Sequence, residues 1–328
     1  MASVMPKNAK WIKESAAEFK PKNNSLITSS GDEIKYEFLV LALGNKVNFD
    51  AIPGLVDALK MKDSGVCSNY SFETVNKTWE SLQSLRQGNA IFTFPNTPIK
   101  CPGAPQKIMY LSEDYLRRRD RRKDVTVIYN TSLPVIFGAP KYAERLMKVV
   151  KKRDIQVNFR HNLISVHGIK KTATFQNLDS NEKMDIPFSM LHVTPPQSSH
   201  AVLKPFADAV GYVAVNKKTL QHETFKNVFG IGDCTNAPTS KTAAAVAAQT
   251  GIVEHNLHQV MKNQEPTAEY DGYTSCPLVT SYNTAILAEF DYDLKPKESF
   301  FFDQGEERRS MYLMKKEVIP RIYWQMLA

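Results

Sequence analysis

One stretch constrains the fold more than any other. Phe225-Lys226-Asn227-Val228-Phe229-Gly230-Ile231-Gly232-Asp233-Cys234 runs on to Thr239-Ser240-Lys241-Thr242-Ala243-Ala244-Ala245. Val228, Phe229 and Ile231 predict a short buried strand. Gly230 and Gly232 allow the backbone to pass close to a ligand, since no Cβ intervenes. Asp233 ends the strand with a carboxylate that can accept from a hydroxyl. Thr239, Ser240 and Thr242 are candidate N-caps, and Ala243 to Gln249 consists of strong helix formers. The start of that helix offers N–H groups and the positive end of a dipole. A plain strand–turn–helix with a surface aspartate shares this pattern. The alanine-rich helix directly behind the turn favours a ligand.

At 328 residues the chain has room for two domains with real cores. Its net charge of +8 raises the question of an anionic partner. The basic residues are scattered, apart from Arg117-Arg118-Arg119-Asp120-Arg121-Arg122-Lys123, which reads as a solvated helix end. No aromatic-interleaved basic patch occurs, so no nucleic-acid partner is expected. Cys67, Cys101, Cys234 and Cys276 have neither C-x-x-C spacing nor a neighbouring His cluster, so no metal is expected. No apolar run reaches the ~18 residues that would span a bilayer, and Met1 to Lys20 holds no secretory core.

Lys10 to Lys13 and Ser25 to Thr28 predict short strands, with Gly31-Asp32 between hairpin arms. Tyr36 to Gly44 predicts a continuous apolar strand of a parallel, doubly covered sheet. Nothing before Trp11 supplies the strand, G-x-G-x-x-G and helix that begin a dinucleotide site. Phe72 to Leu85 predicts an amphipathic helix with Val75, Trp79, Leu82 and Leu85 on one face. Ala90 to Phe94 is a strand. After it, where a nicotinamide-binding turn belongs, stand Pro95-Asn96-Thr97-Pro98-Ile99-Lys100-Cys101-Pro102-Gly103-Ala104-Pro105-Gln106-Lys107. One glycine among several prolines cannot make the close pyrophosphate turn. Cys101 instead precedes a helix N-terminus and is flanked by Lys100 and Lys107, both of which favour thiolate. Val125 to Tyr129 and Gln156 to Phe159 predict strands, with Lys141 to Lys152 helical between them. His192 lies inside an apolar strand and reads as a core histidine. Tyr282 to Phe290 predicts another strand. At the end of the chain Ile319, Ile322, Tyr323, Met326 and Leu327 repeat at helical spacing beside Lys315, Lys316 and Arg321. With Tyr323 and Trp324, that pattern predicts a helix lying on a membrane surface.

Together these residues resemble one family. Phe94-Pro95-Asn96-Thr97-Pro98-Ile99-Lys100-Cys101, Phe229 to Ala245, and Asp271-Gly272-Tyr273-Thr274-Ser275-Cys276-Pro277-Leu278-Val279 are similar to segments of the mitochondrial sulfide:quinone oxidoreductases. The resemblance implies an α/β fold with two Rossmann-like domains, the first incomplete, and a C-terminal amphipathic segment. Residues 1–69 would be a partial FAD-binding domain and 70–195 a second Rossmann-like domain with one redox cysteine. Residues 196–265 would return to the FAD domain, and 266–328 would carry the second redox cysteine and the membrane helix. It places the redox pair at Cys101 and Cys276, not at Cys67 or Cys234. It implies FAD contacts at Ala16, Gly44, Gly232, Asp233, Lys241, Thr242, Ala243 and Ala244. Hydrogen sulfide, a sulfur acceptor such as glutathione, sulfite or cyanide, ubiquinone and a membrane surface are the implied partners. The implied location is peripheral, on the mitochondrial inner membrane. The family's first βαβ unit, its presequence and the second half of its membrane segment are not in the sequence, so a shortened form is expected. Two other readings stay open: a type II NADH:quinone reductase, which should carry G-x-G-x-x-G after Phe94, and a flavin-free, non-catalytic chain.

Overall fold

The computed structural model describes residues 4–327, which form two compact units. One unit comprises Lys46–Ser198 and Cys276–Arg308. Its centre is a five-stranded parallel sheet in the order Val66–Cys67, Met190–His192, Gly88–Phe94, Val125–Thr131, Gln156–Phe159. Helices Phe72–Ser84, Ala104–Arg118 and Pro140–Lys152 connect the strands, and such crossovers are what parallel pairing requires. A parallel sheet is covered on both faces, so its strands read as near-continuous apolar runs. The central strand divides accordingly: Ala90 and Phe92 join the core under the helices, and Ile91 joins the core on the other side. That second core is closed by helix Leu55–Lys60 and an antiparallel sheet of His161–His167, Thr172–Asn177 and Lys183–Pro187. Strands Thr274–Val279 and Ala285–Phe290 pair, and Cys276, Leu278, Ile286, Ala288 and Phe290 complete the core under the helices.

The helix at Phe72–Ser84 buries a different stripe from the one its periodicity predicts. Leu82 and Leu85 are buried, together with Thr78, whereas Val75 is 37% and Trp79 46% exposed. Trp79 lies edge-on to Tyr115 at 5.1 Å on the rim of the core. The basic run after Arg117 is also more than a solvated helix end. Arg117, Arg122 and Arg153 converge on Glu113, whose side chain is fully buried, and Arg118 pairs with Asp114 at 3.0 Å. His192 is a core residue: its Nε2 accepts from the Asn69 N–H at 3.1 Å and its ring stacks on Phe92.

The other unit gathers the segment up to Asn45, Ser199–Ser275 and the segment from Arg309 onward. Ala16–Lys20, Ser25–Thr28 and Glu33–Lys35 form an antiparallel meander, with the predicted turn at Gly31-Asp32. Residues 10–13 form no strand. Trp11 and Ile12 are each 40% exposed between lysines, and pairing begins only at Ala16. The long strand expected over 36–44 is reduced to Leu39–Leu41, which among the described residues pairs in parallel with Val228–Gly230 alone. Val40 is 42% exposed, so among the described residues this strand is not covered on both faces. Helix Ala243–Met261 follows, and the chain ends in Arg309–Leu313, a π-helical turn at Met314–Val318, and Ile319–Leu327. Ile322, Tyr323, Trp324 and Met326 are exposed there, and the Leu327 side chain lies outside the described residues. Among the described residues, no helix is long and apolar enough to cross a membrane.

Candidate active site

The strand Gly88–Phe94 delivers the chain into a loop held at several points. Asn96 N–H donates to Asn162 Oδ1 at 3.2 Å, Lys100 N–H to Gln197 Oε1 at 2.9 Å, and Gln197 N–H to Thr97 Oγ1 at 3.0 Å. Cys101 ends this loop with φ +51°, a left-handed conformation uncommon for a residue with a side chain. Its carbonyl accepts from Ala104 N–H at 2.8 Å, which starts helix Ala104–Arg118. One turn along, Lys107 places its Nζ 3.4 Å from Cys101 Sγ.

Cys276 reaches the same place from strand Thr274–Val279. It is buried, Cys101 is half-buried, and the two side chains are hydrogen-bonded. Both stand as thiols, not as a bridge. Gly103 makes the approach possible: a Cβ there would lie 2.4 Å from Cys276 Sγ and 2.6 Å from Leu278 Cδ2. Its φ of −79° is ordinary, so here glycine supplies space and not backbone freedom. The bond to Cys101, followed by burial, raises the Cys276 thiol well above its usual range, while Lys107 and the Gly103 N–H pull it down. Burial works against the Lys107 charge, but the two sulfurs outweigh it and hold the ammonium above its normal value. The pair thus has one cation, Lys107, in reach of both sulfurs.

The other cysteines do not enter this arrangement. Burial raises Cys67 to about 12, and its Sγ points to Leu191 O at 3.7 Å. Burial likewise raises Cys234, whose Sγ lies 3.4 Å from Leu41 O. Of the two flanking lysines, Lys107 meets the sulfur. Lys100 is tied through its backbone, its carbonyl 3.5 Å from the Tyr70 hydroxyl.

A second set of predicted residues lies in the other unit. The strand Val228–Gly230 leads into a tight turn, Gly232–Cys234, containing Asp233. Gly232 has φ +74° and donates its N–H to Gln249 Oε1 at 2.8 Å. Gly230 serves internal packing instead of ligand approach, since a Cβ would meet Thr235 Cγ2 and Val215 Cγ1 at 2.9 Å. Thr242 caps the helix, accepting from Ala245 N–H at 3.1 Å, and shares a 2.8 Å bond with Thr274 Oγ1. Ala243 and Ala244 form its first turn. Lys241 folds back, its Nζ donating to Asp233 O at 2.6 Å and Thr235 O at 3.0 Å, 4.2 Å from the Tyr212 ring centroid. Gly232, Asp233, Thr239, Lys241, Thr242 and Gln249 help to line a small cleft. Ala16 opens the first strand of the meander, and Gly44 turns the chain at φ +69°. Next to it, Asn45 holds a buried amide whose oxygen and nitrogen both lack a partner. Leaving such groups unpaired costs about 1–3 kcal/mol each, which suits a polar ligand with both donors and acceptors.

No family model matches the chain. Individual relatives do. The mouse mitochondrial sulfide:quinone oxidoreductase is 54% identical over 328 residues, covering 99% of this chain and 72% of that protein. Its Dictyostelium discoideum counterpart is 44% identical, covering 98% and 71%. The chain belongs to the sulfide:quinone oxidoreductase family. Among solved structures, a chain of the Tetrahymena thermophila mitochondrial ATP synthase F1Fo tetramer superposes with a TM-score of 0.88 at 22% identity, over 99% of this chain and 81% of that one. The sulfide:quinone oxidoreductase of Aquifex aeolicus gives 0.76 at 19% identity, over 96% and 74%. At these identities the likeness is one of fold: mixed α/β with parallel sheets.

Several residues of the two candidate sites escape sequence reasoning. Gly103 reads only as the one glycine of a proline-rich loop until Cys276 is seen across from it. Gln197 acts from far along the chain. Gln249 had a visible signal, a polar residue in an alanine-rich helix; Asn45 had none.

Proposed function

We propose that this chain is an FAD-dependent sulfide:quinone oxidoreductase whose redox centre is Cys101 with Cys276. The observation that carries the reading is the meeting of these two thiols beside Lys107, on a loop with no nicotinamide turn. In the oxidised state the two sulfurs form a bridge. Hydrosulfide attacks one sulfur of it, a sulfur–sulfur bond forms as the bridge breaks, and the other cysteine leaves as thiolate. Lys107 neutralises that thiolate, and the Gly103 N–H donates to Cys276. A nucleophilic acceptor such as glutathione, sulfite or cyanide takes the outer sulfur of the persulfide.

The unit that holds the Gly232–Cys234 turn is the FAD-binding domain in this reading. Its polar groups fit the cofactor: Asp233 accepts from a hydroxyl, Asn45 offers an unpaired amide, and the helix start at Thr242, Ala243 and Ala244 faces anionic charge. Gly232 and Gly44 keep the backbone clear, Lys241 braces the turn, and Ala16 contributes a backbone contact. When bound, FAD supplies a two-electron acceptor for the thiolate and a donor to ubiquinone. Exposed Ile322, Tyr323, Trp324 and Met326 rest on the mitochondrial inner membrane, the source of the quinone. The NADH reductase alternative lacks a turn to hold its reductant.

Cys101→Ser and Cys276→Ser should each abolish sulfide-dependent quinone reduction, with fold and flavin absorbance kept. Turnover surviving in either variant contradicts the assignment.

A further inference from the structure

Ser299-Phe300-Phe301-Phe302-Asp303 contains the chain's only run of three aromatic residues. Its middle ring is bare: Phe301 is 102% exposed. A slack loop would let such a ring fold down onto the surface, but this loop is held up. Ser299 N–H donates to Glu289 Oε2 at 2.7 Å, Phe300 N–H to Gln304 Oε1 at 2.8 Å, and Gly305 N–H to Asp303 Oδ1 at 2.9 Å. Gln304 and Glu289 are themselves buried, and Gln304 Nε2 donates to Glu289 Oε2 at 2.8 Å. Phe302 stacks on Phe300 at 5.2 Å, meets Phe301 edge-on at 5.5 Å, and has the Arg308 guanidinium 4.6 Å from its centroid. The carboxylates at the base are neutralised: Lys141 lies 2.8 Å from both Glu298 and Asp303, and Arg145 2.9 Å from Asp303. An aromatic tip projects from a rigid, charge-compensated base.

The shape of this tip decides what it fits. A protein partner buries its anchoring rings within a patch of several hundred Å², and one convex ring offers far less. A lipid interface receives an isolated ring without a matching pocket. Soon after Phe301 the chain enters the segment starting at Arg309, whose exposed apolar residues carry the membrane reading above. This inference rests on that reading. We propose that Phe301, braced by Phe300 and Phe302, is a second membrane anchor that inserts into the lipid interface.

The test uses the full chain and vesicles of phosphatidylcholine with phosphatidylglycerol. Phe301→Ser should lower vesicle partitioning on the order of ten-fold, Phe301→Leu should nearly restore it, and quinone reduction in detergent should be unchanged. Phe301→Trp should add fluorescence that brominated acyl chains quench, beyond the quenching of the unsubstituted chain. Unchanged partitioning of Phe301→Ser, with binding lost on Trp324→Ser, would overturn the proposal and leave the membrane helix standing. Failure of the unsubstituted chain to bind vesicles would overturn both. Loss of self-association in Phe301→Ser, with partitioning intact, would assign the ring to a second copy of the chain and overturn the lipid anchor.

Discussion

At the scale of single residues, the account turns on how closely two sulfurs are held. Gly103 is the most sensitive point, because an added methyl would collide with Cys276 Sγ and Leu278. Gly103→Ala should cost about 1–3 kcal/mol of stability, read as a lower urea midpoint, and should separate the thiols so that oxidant no longer joins them. Lys107 acts by charge. It lowers the Cys276 thiol against the effects of Cys101 and burial. Lys107→Met should therefore move the pH profile of thiol alkylation to higher pH, whereas Lys107→Arg should keep most of the wild-type profile. An unmoved profile in Lys107→Met would remove the lysine from the mechanism.

At the scale of elements, the central strands of the parallel sheet carry a titratable group with no route to water. Burial depresses His192 to about 4, below its ordinary 6.5. Only the unfolded chain takes up this proton readily, so the stability is complete above pH 6.5 and falls as pH drops from there toward 4. The full loss is about 3 kcal/mol. Urea midpoints between pH 7 and 4 should show it, and His192→Gln should flatten the slope. These strands were the most legible part of the sequence. Val125 to Tyr129 and Ala90 to Phe94 are apolar but for one threonine each, Thr126 and Thr93, as burial on both faces favours. Val75 and Trp79 misled because periodicity marks an apolar side but not where the core beneath it ends. The strand expected over 36–44 failed for a related reason: an apolar run does not say how many partner strands it will find. Glu113 was unreadable, since its arginines come from Arg117, Arg122 and the distant Arg153.

At the scale of the whole chain, the family was legible because its motifs are local: the loop ending at Cys101, the Gly232-Asp233 turn and the strand bearing Cys276. What brings two of these motifs together is long-range, and the structure supplies it through Gly103, Lys107 and Gln197. The most direct measurement is mass spectrometry of the oxidised chain before and after hydrosulfide. The account predicts a cross-linked peptide joining Cys101 to Cys276, then one extra sulfur on one of those two residues, with Cys67 and Cys234 unmodified. A bridge to any other cysteine, or two thiols that stay open to alkylation under oxidant, would contradict it.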